Sequence, residues 1–161
     1  MEKKIRYTLG KEERLKSRKA IEELFASGKS FSLFPFKIIY QKNLAGEEQI
    51  TNNKLQTTNH KPQTCLSGRQ ATNYKPLQTA FSVSKKYFKK ATGRNRVKRL
   101  MREAYRLQKN DLQNCLRQSN KSLLIFIIYL GNELPDYDLI YTKMESVLKR
   151  LKKIIIENPA N

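Results

Sequence analysis

Little in this chain can carry covalent chemistry. It has a single His and two Cys in 161 residues, so His-centred catalytic dyads are excluded unless His60 itself serves, and a lone imidazole in a polar stretch is usually just solvated. Cys65 and Cys115 stand far apart, with only His60 to complete a ligand set. Neither a disulfide framework nor a zinc site is supported. Long apolar runs are missing too: the longest, Leu123 to Leu130, spans eight residues, less than half of the ~20 that cross a bilayer. The first residues, Met1-Glu2-Lys3-Lys4-Ile5-Arg6, lack the apolar stretch and small-residue cleavage site of a secretory signal, so a cytoplasmic location is expected. Acids are scarce, with 14 Asp+Glu against 33 Lys+Arg and a formal charge of +19. Such a charge repels itself in the compact state unless a polyanion neutralises it. Nucleic acid is the first expectation for a partner, ahead of an anionic membrane surface, and a small-molecule substrate is disfavoured.

The length fits one compact domain, spanning residues 1–161. From Asn43 to Gln78 the composition shifts: 16 of 36 residues are Asn, Gln, Thr or Ser, and apolar residues occur singly without period. Such a stretch cannot bury enough to order itself, and it reads as a long polar insert at 43–78 within the single domain. Ahead of it, Ser17 can cap a helix carrying Ile21, Leu24 and Phe25 at i, i+3, i+4, with Gly28 placed to end it. Phe36-Lys37-Ile38-Ile39-Tyr40 follows Pro35 as a strand. Beyond the insert, Thr79 to Ser84 alternates at period two, with Thr79, Phe81 and Val83 on one face and Ala80, Ser82 and Ser84 on the other. Leu123 to Tyr129 is an unbroken apolar run that suits a central strand. From Asp138 onward, Ile140, Met144, Val147, Leu148, Leu151 and Ile155 recur at helical spacing. The pattern is α+β.

Between Lys85 and Lys109 stand eleven Lys or Arg and one acid, Glu103. Wound as a helix from Thr92 to Leu116, this segment gathers Val97, Leu100, Met101, Ala104 and Leu107 into one stripe. The other side collects Asn95, Lys98, Arg99, Arg102, Arg106 and Lys109. A merely solvated face would mix both signs for i, i+4 pairing, and one acid cannot neutralise so many bases. Arg predominates, and its planar fork of donors matches phosphate oxygens. Ser84-Lys85-Lys86 and Thr92-Gly93 bring hydroxyls, ammonium groups and free N–H groups towards the positive end of that helix. Phosphate contacts fix position without reading bases, so steeply salt-dependent binding is expected.

The runs Phe81-Ser82-Val83-Ser84-Lys85-Lys86 and Gly93-Arg94-Asn95-Arg96-Val97-Lys98-Arg99-Leu100-Met101-Arg102-Glu103-Ala104 together resemble the protein subunit family of bacterial ribonuclease P. The resemblance covers roughly residues 12–42 and 79–155; the 43–78 insert has no counterpart in the family pattern. It implies a single-domain, two-layer α+β sandwich, a mostly four-stranded sheet with three helices and a left-handed crossover at the basic helix, as in the second domain of a small-subunit ribosomal protein. It implies further that a catalytic RNA subunit cleaves the 5′ leader from precursor tRNA with magnesium held mainly by RNA. The protein would supply binding and no catalytic residue, metal ligand or bound cofactor of its own. Its partners would be that RNA and precursor tRNA, without membrane or small-molecule substrate. Carried over by position, the RNA-binding set is Lys85, Lys86, Arg94, Asn95, Arg96, Lys98, Arg99, Arg102 and Arg106. The leader cleft maps to Ile21, Phe25, Ile38, Tyr40, Ser82 and Ser84, where unpaired bases stack on aromatics. Ile21 is a departure, since many members carry an aromatic there. Glu103 is expected to pair within its helix rather than to bind metal. The alternatives are a structural RNA-binding protein, such as a ribosomal component, and a DNA-binding regulator, although no helix-turn-helix or heptad pattern supports the latter.

Overall fold

A computed structural model describes residues 7–44 and 76–157. In chain order its elements are α1 (Arg18–Ser27), β1 (Lys29–Leu33), β2 (Phe36–Leu44), β3 (Leu77–Val83), α2 (Ala91–Gln118), β4 (Lys121–Tyr129) and α3 (Tyr137–Glu157). The strands form one mixed sheet in the order β1-β2-β4-β3, with only the β3–β4 pair parallel. Parallel neighbours cannot be joined by a tight turn, and α2 is the crossover between them. This is the α+β architecture expected, with the basic helix as the crossover.

Local chemistry sets the boundaries. The Ser17 hydroxyl accepts the Ala20 N–H at 3.4 Å, capping α1. Gly28 follows directly, and a Cβ there would lie 2.2 Å from the Leu24 carbonyl oxygen that its own N–H engages. Only glycine lets the chain leave α1 this tightly. β1 then alternates Ser30 and Ser32 with Phe31 and Leu33, a period-two pattern too short to stand out before its partner strand is known. β2 starts at Phe36, as expected, and Pro35 ahead of it sits in the Phe34–Pro35 turn joining β1 to β2. β2 runs on to Leu44, opposite Lys121, and β3 starts at Leu77. Both ends of the expected insert are therefore strand; residues 45–75, with His60 and Cys65, lie outside the described residues.

β4 lies between β2 and β3, which explains its lack of a polar face. Leu123, Ile125, Ile127 and Tyr129 point into the main core with Phe36, Ile38, Tyr40, Leu77 and Val83, beneath α2 and α3. Leu124, Phe126 and Ile128 point the other way, towards a smaller cluster of Leu15, Leu24 and Ile39 under α1. Sheet and the α2/α3 pair are thus the two main layers, and α1 covers part of the sheet's back. α3 is tied down where the Arg150 guanidinium lies 4.5 Å from the Phe31 ring and Lys42 donates to the Ile154 carbonyl.

The segment before α1 lies alongside β3, where the Leu15 N–H donates to the Thr79 carbonyl at 3.2 Å and the Thr79 N–H to the Glu13 carbonyl at 2.8 Å. It covers backbone groups that an edge strand would leave open. Its other anchor corrects the sequence expectation for Lys109, which is only 1% exposed rather than part of the cationic face. Its ammonium pairs with Glu13 and donates to the Thr8 carbonyl at 2.6 Å. Glu13 also accepts from Gln113 at 2.6 Å and from the Gly10 N–H at 2.8 Å. Burial pushes the Glu13 carboxyl up, but the hydrogen bonds from Lys109, Gln113 and Gly10 outweigh it and hold its pKa below the ordinary 4.5. Removing one partner would strand a buried ammonium.

Glu13→Ala is expected to lower the unfolding free energy by about 3 kcal/mol in urea titrations, the low end for a broken buried pair because the carboxylate is partly exposed. Because the folded-state pKa is depressed, the pair's contribution is complete above the ordinary carboxylate value and is lost as pH falls through the folded one. Stability of the parent should drop on acidification below about pH 4.5 more steeply than that of Glu13→Gln.

Candidate nucleic-acid interface

The path from β3 into α2 presents four exposed lysines, Lys85, Lys86, Lys89 and Lys90, and the first turn of α2 commits an arginine. The Ser84 hydroxyl accepts the Lys86 N–H at 3.2 Å and its carbonyl accepts the Phe88 N–H at 3.3 Å, a turn that leaves Lys85 and Lys86 exposed. β3 ends at Val83, so Ser84 is a turn residue rather than part of the sheet face. Phe88 turns inward to Tyr129, 6.0 Å between ring centres, and a Cβ on Gly93 would lie 3.3 Å from the Phe88 ring. Arg94 folds back onto this linker, donating to the Phe88 and Lys89 carbonyls at 2.8 and 2.6 Å. Its guanidinium clamps the linker against the helix start.

Beyond Arg94, α2 divides by face. Val97, Met101, Ala104 and Tyr105 are buried in the core, and Tyr105 shares a 2.6 Å hydrogen bond with Thr79. Asn95, Arg96, Arg99 and Arg102 are exposed and Lys98 is half-buried. Among the described residues none of Arg96, Lys98, Arg99 and Arg102 has a carboxylate partner. Glu103, the one acid nearby, is spent on Arg106, whose Nε donates to it at 3.0 Å. That bond holds the Glu103 carboxyl below its usual value. Arg106 also donates to the Tyr7 carbonyl, so it is bound on two sides and differs from its neighbours. What remains is a helix face of permanent cations with open valence for phosphate.

A second surface lies on the back of the sheet. Cross-strand register puts Ser32, Lys37, Ile128 and Ser82 in one row and Ser30, Ile39, Phe126 and Ala80 in the next. α1 covers only part of it: Leu24 is fully buried there and Ile21 half-buried, whereas Phe25 is 49% exposed, its ring edge-on to Phe126 at 4.9 Å. Ile21, Phe25, Phe126, Ile128 and Ser82 therefore line an open groove with Lys37 at its rim. Ile38 and Tyr40 do not join it. Strand alternation turns them, with Phe36, to the other face, where they are 0% and 8% exposed and Tyr40 packs on Phe31 at 5.9 Å. Phe126, Ile128 and Lys37 take their place. The doubly apolar β4 was the available signal, but which face stays open depends on what α1 covers.

The family model for Ribonuclease P matches residues 9–152. The chain belongs to this family. It is similar to the ribonuclease P protein component of Porphyromonas gingivalis, 31% identical over 90% of this chain and 87% of that one. The corresponding protein of Chlorobium phaeobacteroides is 29% identical over 90% and 88%. Among solved structures, the RNase P protein of Staphylococcus aureus is similar at a TM-score of 0.56 and 19% identity, covering 87% of this chain and 95% of that one. The RNase P protein from Thermotoga maritima follows at 0.52 and 24%, covering 86% and 96%. These two likenesses carry the fold. For this ribonuclease P protein, no described helix is long and apolar enough to cross a membrane, and no three His, Cys, Asp or Glu of the described residues come together as a metal cluster.

Unequal pairing along α2 gives a test. Arg96→Ala and Arg102→Ala should each weaken binding to structured RNA and lower the log–log salt slope by about one. Arg106→Ala, whose charge is already compensated by Glu103, should change that slope less.

Proposed function

We propose that this bacterial-type ribonuclease P protein binds the catalytic RNA subunit and precursor tRNA through the α2 cations and takes the single-stranded 5′ leader into the groove beside α1. In this reading the RNA performs the cleavage and the protein supplies affinity and position. The observation that carries it is the uncompensated row of Arg96, Arg99 and Arg102, adjoined by Lys85 and Lys86. A surface of fixed cations is suited to phosphates of a folded RNA. The groove supports the second half: the exposed Phe25 ring and the half-buried Phe126 offer π-faces to unpaired bases, with Lys37 near enough for a backbone phosphate. Magnesium is assigned to RNA phosphates and water, which suit a hard cation that keeps several of its own waters. Cytoplasmic residence accords with this partner.

Adding the protein to its cognate RNA subunit at low magnesium should raise the rate of precursor-tRNA cleavage; an unchanged rate would overturn the reading. Phe25→Ala should weaken binding of precursor tRNA bearing a leader of several nucleotides by about tenfold, the usual effect of removing one stacking aromatic. Binding of mature tRNA should hardly change. Tyr40→Ala, in the core, should instead lower the melting temperature and both affinities together.

A further inference from the structure

On the side of α2 away from the sheet, a groove of about 470 Å³ runs between α2 and α3. Its walls include the rings of Tyr7 and Tyr141, 46% and 37% exposed, and the side chains of Gln108, Asn110, Asp111 and Asn114. Tyr7 is held over α2 by the bond from Arg106 to its carbonyl and by Lys109 on the neighbouring Thr8 carbonyl. The Gln108 amide is oriented by donation from its Nε2 to the Tyr141 carbonyl at 3.0 Å, which leaves its Oε1 buried without a hydrogen-bond partner.

The groove continues the cationic face. Arg96, Arg99, Arg106, Asn110 and Asn114 follow one another at spacings of three, four or seven, so they share one stripe. Arg99 and Asn110 are about 16 Å apart along the helix axis. Over that distance α2 changes from guanidinium to amide and carboxylate, while the exposed Lys152 of α3 adds one ammonium to the groove wall, placed to meet a phosphate next to a bound base. On the rim, Lys149 and Glu145 neutralise each other at 2.7 Å. Asp111 has no cation partner among the described residues, although the chain carries a large cation excess. A free carboxylate repels phosphate but accepts from the N–H groups of a base. Aromatic walls, amides and an unpaired acid suit a nucleobase rather than a phosphate.

We infer that the α2–α3 groove receives one unpaired guanine of an RNA strand whose phosphates lie on Arg96, Arg99 and Arg102. Guanine presents adjacent N–H donors on its Watson–Crick edge, which match the two oxygens of the exposed Asp111 carboxylate, while Tyr7 and Tyr141 supply surfaces for stacking. The inference rests on the reading of α2 as an RNA-binding helix and adds base preference to it.

The test uses the full-length protein and two labelled RNA heptamers, one all uridine and one with a single central guanosine, in anisotropy titrations at several salt concentrations. The guanosine heptamer should bind about tenfold more tightly, the discrimination of one good base contact. Asp111→Ala, an exposed helical position where alanine is well tolerated, should remove that preference and keep uridine binding. Tyr141→Ala should bring the guanosine heptamer to the uridine level. Equal affinity of the parent for both heptamers, or a preference that survives in Asp111→Ala, would overturn the inference while salt-dependent binding upholds the RNA-binding reading. Absence of salt-dependent binding to either heptamer would overturn the inference, and absence of salt-dependent binding to a folded RNA as well would overturn the RNA-binding reading.

Discussion

The buried pair of Lys109 and Glu13 decides where several parts of this molecule stand. A lysine loses much hydration when its ammonium leaves water, and it stays charged inside only with a carboxylate and carbonyl oxygens around it. Lys109 has Glu13 and the Thr8 carbonyl. To supply them, the segment before α1 must cross α2 and then lie along β3 through Thr79. The same crossing protects a sheet edge, fixes where α1 starts over the back of the sheet, and sets Tyr7 over the α2–α3 groove. One buried charge thus links three surfaces that are distant in sequence.

α2 meets a different constraint. As the crossover between two adjacent parallel strands, it must bury one face against the sheet, and later turns also pack on α3. Its exposed face is free of packing demands and carries the arginines. Those side chains are not equivalent, because local geometry commits some and spares others. Arg94 holds the linker carbonyls and Arg106 holds Glu103 and Tyr7, whereas Arg96, Arg99 and Arg102 keep their donors. The first two hold the chain around the helix, and the others keep their charge exposed.

The back of the sheet acquires its groove because α1, of ten residues, is too short to cover it. Leu24 fills the space over Ile39, and the rows through Phe126 and Ile128 continue beyond the helix. Complete burial there would have left no apolar surface for a ligand. Partial cover leaves aromatic and aliphatic groups beside serines and a lysine, a combination suited to unpaired nucleotides.

Elements whose signals are local can be read directly along the chain. The Ser17 cap, the apolar stripe of α2, the unbroken run of β4 and the excess of arginine all depend on near neighbours or on bulk charge, so they can be read along the chain. The expected pairing of Glu103 within its helix is likewise a matter of three-residue spacing. β1 leaves no such signal, because five residues carry too short a pattern. Only tertiary structure could decide that Ile38 and Tyr40 face the core and Phe126 faces the groove, because strand alternation defines two faces without saying which one a helix will cover. Lys109 follows the same logic: its place on α2 read as exposed, and its burial depends on Glu13, 96 positions earlier. Contacts across that separation arise from chain topology, and helical or strand periodicity carries no trace of them.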